Sequence, residues 1–176
     1  MPRIGHVSTL SEMAHVWLIG MMGTGKSTVG ALVAERLQIP LLDVDALIVE
    51  HNHRSIAEIF AEGEASFRVL ESAEIAALAT CDDAVIATGG GAVLDAANVD
   101  AMRATGSTIL LTASLDQIEQ RLSDNSSRPL NSDNDALARI YETRKHIYTQ
   151  SADSVIDTTD LDAATVAEEV LKCVGT

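Results

Sequence analysis

At 176 residues the chain has the length of one domain, enough to bury about 70% of the surface its unfolded form exposes without help from a metal or disulfide. Hydrophobic residues make up 47% and charged residues 22%, near the globular average, which excludes wholesale disorder. A formal charge of -14 and an aromatic content of 3% argue against gripping a phosphate backbone or stacking bases, so the expected partners are small molecules and not nucleic acid.

The leading MPRIGHVSTLSEMAH, residues 1–15, lacks the apolar core of a signal peptide, and no apolar run approaches the 18 or so residues of a membrane span. We therefore expect a flexible N-terminal extension, a single domain over 16–176, no membrane contact, a cytoplasmic location and, by default, a monomer. Short apolar runs follow at Val16–Ile19, Pro40–Val44, Ala84–Ala87, Thr108–Leu111 and Ser154–Ile156. They alternate with helical spacing over Lys26–Leu37, Ser55–Leu78, Asp95–Arg103, Leu115–Leu122, Ala136–Gln150 and Asp162–Val174. That alternation predicts an α/β fold, a five-stranded parallel sheet with helices on both faces. SIAE at Ser55–Glu58 fits a capping box. The polar SDNSSRPLNSDND, 123–135, has no periodicity and reads as a functional or mobile loop. Cys81 and Cys173 are far apart and show no metal spacing, so both are expected as ordinary buried or partly buried thiols.

The first chemical signal is GMMGTGKST, residues 20–28. It follows a buried strand and opens a helix, the context a P-loop requires, so that successive N–H groups and a helix N-terminus surround a phosphate. Lys26 neutralises the transferred group, and the Ser27 hydroxyl is placed to ligate Mg2+. The carboxylate such a site needs is expected from LLDVD. On an extended strand Asp43 and Asp45 project to the same side, one for the water shell of Mg2+ and one to orient or deprotonate an acceptor hydroxyl, with the N-cap of the next helix as the alternative for Asp45. TGGGAV, Thr88–Val93, is either a close backbone approach to a ligand or a tight turn. Arg68, flanked by Glu64 and Glu71, reads as a surface ion pair; Arg144 shares that ambiguity, and Arg121 fits a helix-end cation. His6, His15, His51, His53 and His146 form no nucleophile or metal constellation.

In order along the chain, GMMGTGKST, LLDVD, GEASFR, GGGAV, RPL and RKHIYTQSA, the last with Arg, Tyr and Ala at steps of four, resemble the shikimate kinase family from about Val16 to the C-terminal helix. The resemblance implies a P-loop NTPase fold of the nucleoside monophosphate kinase type with sheet order 2-3-1-4-5, acceptor-binding helices over about 46–79 and a lid over about 123–135. It implies transfer of the γ-phosphate of ATP to the 3-hydroxyl of shikimate, with Mg2+, in aromatic amino-acid biosynthesis. Carried onto this sequence, Gly23, Thr24, Gly25, Lys26, Ser27 and Thr28 hold the nucleotide. Arg121 stacks on adenine beside Asp157 and Thr158. Asp45 binds and activates the acceptor hydroxyl, and Asp43 acts on Mg2+ through water. Arg68 and Arg144 clamp the carboxylate, Gly89, Gly90 and Gly91 contact the ring hydroxyls, and Arg128 reaches the transferred phosphate from the lid. The resemblance thus replaces the ion-pair reading of Arg68 and Arg144. Asn131 after RPL and the 15-residue leader depart from the family pattern. A small-polyol kinase such as a gluconate kinase would share the fold but not the acceptor motifs, and a non-catalytic nucleotide-binding scaffold would not need Lys26, Ser27, Asp45 and Arg128 together.

Overall fold

The computed structural model describes residues 14–125 and 134–175. Strands β1 (His15–Ile19), β2 (Leu41–Asp43), β3 (Val85–Ala87), β4 (Gly106–Thr112) and β5 (Ser154–Asp157) pair in parallel throughout. Their order, β2-β3-β1-β4-β5, is the one the resemblance implies. Side chains alternate across the sheet. Trp17, Ile19, Ile86 and Leu110 face one layer, where they meet Ile48 of α2 (Val44–Asn52), Ile75 of α4 (Glu64–Leu78), Met102 of α5 (Ala96–Thr105), Ile118 of α6 (Leu115–Asn125) and Tyr148 of α7 (Asn134–Ser151). Val16, Leu18, Val85, Ile109 and Leu111 face the other, against Val29 and Val33 of α1 (Lys26–Leu37) and Val166 and Val170 of α8 (Ala163–Cys173). Strands covered on both faces have no polar side to present, which is why they read as unbroken apolar runs.

α1 has the bounds expected of it, and three other stretches differ. The helical pattern over 55–78 is two helices, α3 (Ile56–Ala61) and α4, because Gly63 between them takes φ 119°, a left-handed value that favours glycine. The capping box at the start of α3 is present: Ser55 Oγ accepts from Glu58 N–H at 3.2 Å and the Glu58 carboxylate accepts from Ser55 N–H at 2.7 Å. β2 stops at Asp43, whose side chain caps α2 by accepting from Ala46 N–H at 3.2 Å. The N-cap is therefore Asp43, and Asp45 sits in the first helical turn instead of extending the strand. β1 starts at His15, inside the stretch expected to be a loose extension. The imidazole is buried, its Nδ1 accepts from Ala84 N–H at 3.2 Å, and it meets Trp17 edge-on at 5.6 Å.

Both cysteines are exposed, contrary to expectation. Cys81 lies in the turn that leaves α4 and Cys173 is the last residue of α8, positions where chain ends meet solvent. Among the described residues no helix is long and apolar enough to cross a membrane.

Ile86 is fully buried at the centre of β3. Ile86→Ala should lower unfolding free energy by about 2–5 kcal/mol. Urea titration should show this as a shifted midpoint at unchanged slope.

Candidate active site

The turn between β1 and α1 is built by three glycines at positive φ, Gly20 (137°), Gly23 (77°) and Gly25 (93°). At Gly20 the demand is also steric, since a Cβ there would lie 2.3 Å from Leu111 O. Thr24 Oγ1 donates to Met21 O at 2.8 Å. Lys26 Nζ donates to Gly20 O and Met21 O, each at 2.8 Å, so the ammonium bridges the loop it follows. Burial pushes its pKa down to about 8, partly opposed by the nearby carboxylates of Asp45 and Asp43.

Above the C-terminal ends of the strands, where β1 lies between β3 and β4, this loop forms one wall of a cavity of about 550 Å3. That is where an open α/β sheet places its ligand. The walls carry the P-loop from Met22 to Thr28, Asp43, Asp45, Thr88, Gly89, Gly90, Arg121 and Thr158.

Asp43 and Asp45 both reach the cavity, although not from one strand. Asp43 Oδ2 accepts from Ser27 Oγ at 2.8 Å while Oδ1 caps α2. Asp45 Oδ1 is buried without a hydrogen-bond partner. Its carboxyl is held above the ordinary value by burial and by Asp43, against the pull of Lys26 and Arg68. A buried acceptor left unpaired costs about 1–3 kcal/mol, so a ligand hydroxyl donating there would be strongly favoured.

The glycine run faces this oxygen. A Cβ on Gly89 would lie 3.0 Å from Asp45 Oδ1 and 2.5 Å from Glu71 Oε1, and one on Gly91 would collide with the Arg68 guanidinium at 2.2–2.3 Å. None of the three has positive φ. At Gly89 and Gly91 close approach, not a strained turn, is what requires glycine.

Arg68 makes the ion pairs its spacing suggests, and they are of two kinds. Nε and Nη2 donate to Glu64 Oε1 at 3.2 and 2.8 Å, and Nη1 to Glu71 Oε2 at 2.6 Å. The Glu64 side chain is 59% exposed and that of Glu71 1%. The first is a surface pair and the second an interior one. Arg144 Nη1 donates to Gly90 O at 3.3 Å, which brings both arginines to the glycine run. Glu71, whose carboxyl burial pushes up, was not singled out by sequence because only the fold shows that this member of α4 points at Gly89.

Arg121 spans the cavity's other end, donating from Nη1 to Thr158 Oγ1 at 2.9 Å and Gly23 O at 3.3 Å, and from Nη2 to Thr158 O at 2.8 Å. It thus links the loop after β5 to the P-loop and does more than offset a helix dipole. Asp157 turns elsewhere: its Oδ1 accepts from Thr159 N–H and Oγ1 at 2.9 and 2.6 Å. Arg128 and the rest of the RPL segment lie outside the described residues. His51 pairs with Glu74 at 2.9 Å between α2 and α4, and among the described residues no three His, Cys, Asp or Glu gather as a metal site.

The glycine loop closing on Lys26 at the head of a five-stranded parallel sheet of order 2-3-1-4-5 places the chain among the P-loop folds of the nucleoside monophosphate kinase type. The family model described as shikimate kinase matches residues 22–175. A shikimate kinase of Geobacter sulfurreducens is 44% identical over 168 residues, 93% of this chain and 92% of that one. A solved shikimate kinase from Acinetobacter baumannii in complex with shikimate superposes with a TM-score of 0.85 at 31% identity, covering 92% of this chain and 93% of that one. A gluconokinase from Sinorhizobium meliloti is 17% identical at a TM-score of 0.64, covering 94% and 93%, a likeness that shows the fold alone. The chain belongs to the shikimate kinase family. With the family comes the activity, ATP-dependent phosphorylation of shikimate in aromatic amino-acid biosynthesis.

Folded Lys26 gives up its proton near pH 8 and an unfolded lysine near 10.5. Between these values the unfolded state binds more protons, so the lysine's contribution to stability rises with pH through that window and is least favourable below it. Without nucleotide, the gap in melting temperature between Lys26→Met and the parent should therefore shift in the parent's favour as the pH rises from about 8 towards 10.5. A pH-independent gap in calorimetry would contradict the buried-ammonium account.

Proposed function

We propose that the cavity transfers the γ-phosphoryl group of ATP in line to the 3-hydroxyl of shikimate, with Mg2+, and that its residues divide the work as follows. Backbone N–H groups of Gly23–Thr28 and the start of α1 surround the nucleotide phosphates. Lys26 moves its hydrogen bonds from the carbonyls of Gly20 and Met21 to phosphate oxygen. Ser27 and Asp43, already joined at 2.8 Å, offer the hard oxygen donors that Mg2+ takes, Asp43 through water. When bound, the ion would neutralise charge on the phosphoryl group. Arg121 and Thr158, with the backbone at Asp157, frame the adenine. Arg128 reaches the phosphate from the lid on the strength of the resemblance alone.

The observation that carries the acceptor assignment is the unpartnered Oδ1 of Asp45, buried beside Gly89. A hydroxyl donating to it is oriented for attack and hands its proton to the carboxylate as the new O–P bond forms and the bond from the γ-phosphorus to the departing ADP breaks. The acceptor's own carboxylate goes to Arg68 and Arg144, and Gly89, Gly90 and Gly91 lie against the ring hydroxyls. Arg68 keeps buried Glu71 and exchanges exposed Glu64 for the substrate, because an exposed pair is the weaker of the two. The arginine fork suits a carboxylate better than lysine would. The same reading has the enzyme working as a cytoplasmic monomer on small molecules alone, in keeping with a net charge of -14.

Asp45→Asn should leave the Kd for ATP within about twofold while lowering kcat by about 100-fold or more. A loss under tenfold in steady-state assays would reduce Asp45 to a helix-turn residue. Arg68→Ala should raise the KM for shikimate at least about tenfold more than that for ATP; equal effects on both would defeat the carboxylate clamp.

A further inference from the structure

Tyr148 is the middle member of the Arg144, Tyr148 and Ala152 series, whose first two residues lie on α7, and phosphoryl transfer as described leaves it without a task. Its ring is 3% exposed in the core layer. Its hydroxyl donates to Gly90 O, the same carbonyl that takes Arg144 Nη1 at 3.3 Å. One turn apart, the two side chains leave α7 on the same face. Gly90 also packs against the P-loop: a Cβ there would lie 3.6 Å from Met22 N and from Tyr148 Oη, and 3.7 Å from Gly20 O. α7 is itself pinned to α5 by Arg103, whose Nη2 donates to Gln150 O.

We propose that Tyr148 is a positioning residue for the acceptor site: its hydroxyl holds the Gly90 carbonyl, so that Arg144 can leave that carbonyl for the acceptor's carboxylate without the glycine loop moving. This rests on the acceptor reading of Arg144 and Gly90 given above. A part-buried carbonyl that loses one donor keeps its cost low only if a second remains. The Arg144 contact is long and replaceable, whereas the tyrosine is fixed by packing and cannot follow the arginine. Because the peptide is planar and trans, fixing the Gly90 carbonyl also fixes the Gly91 N–H, which points away from α7. Burial keeps the phenol protonated, hence a donor, throughout the neutral range.

Tyr148→Phe retains the packed ring and removes only the donor. In the full-length enzyme we expect the KM for shikimate to rise about five- to tenfold, with the KM for ATP within about twofold. A fall in melting temperature with both KM values unchanged would make Tyr148 purely structural and overturn the proposal, as would an equal rise in both. Arg144→Ala, assayed in parallel, separates the two claims. If it raises the shikimate KM while Tyr148→Phe does not, only the positioning role fails. If it leaves that KM unchanged, the acceptor reading of Arg144 fails and takes the proposal with it.

Discussion

Lys26 brings an ammonium to a place where the folded chain must desolvate it, and the rest of the site is organised around that charge. The two carbonyls it bridges are in the loop preceding it, so the glycine turn and the helix start are fixed together. The carboxylates that favour its charge stand close by, Asp43 at the end of β2 and Asp45 in the first turn of α2. The sheet order makes this meeting possible: with β1 between β3 and β4 and β2 beyond β3, the ends of β1, β2 and β3 open onto one cavity.

The chain's acidity shapes the other half of the cavity. With three lysines and nine arginines against 26 acids, cations are scarce; Lys26 and Arg121 line the cavity, and Arg68 and Arg144 reach the glycine run beside it. Arg121 ties the P-loop to Thr158. Arg68 is held by one interior and one exposed carboxylate, which keeps it oriented yet leaves an exchangeable partner. Asp45 and Glu71 each present a buried oxygen without a partner around Gly89. A ligand that brings its own donors would satisfy both.

The parts of this arrangement legible in the sequence are those set by local chemistry. β1, the glycine loop and α1 are contiguous, and their periodicity and glycine spacing specify each other. The sheet's apolar runs were equally plain. What the residues alone misjudged were contacts across the fold. Arg68 looked like a surface pair because Glu64 and Glu71 are equivalent by spacing, and only the packing of α4 against Gly89 and Gly91 makes one interior. Nothing local in LLDVD shows that β2 ends at Asp43 to cap α2, so residue order alone keeps Asp43 and Asp45 on one strand. One glycine in a helical pattern is tolerated until its φ turns positive, as it does at Gly63. The exposed cysteines follow from where α4 and α8 end, which periodicity fixes only loosely.

The claim most worth exposing is that the pocket beside Asp45 is built for shikimate and not for another polyol. Initial rates of ADP formation from MgATP, with shikimate, with gluconate and with no acceptor, test it directly. Turnover should depend on shikimate and stay near the acceptor-free rate with gluconate. Turnover stimulated by gluconate alone, or the same rate in all three, would contradict it while leaving the P-loop intact.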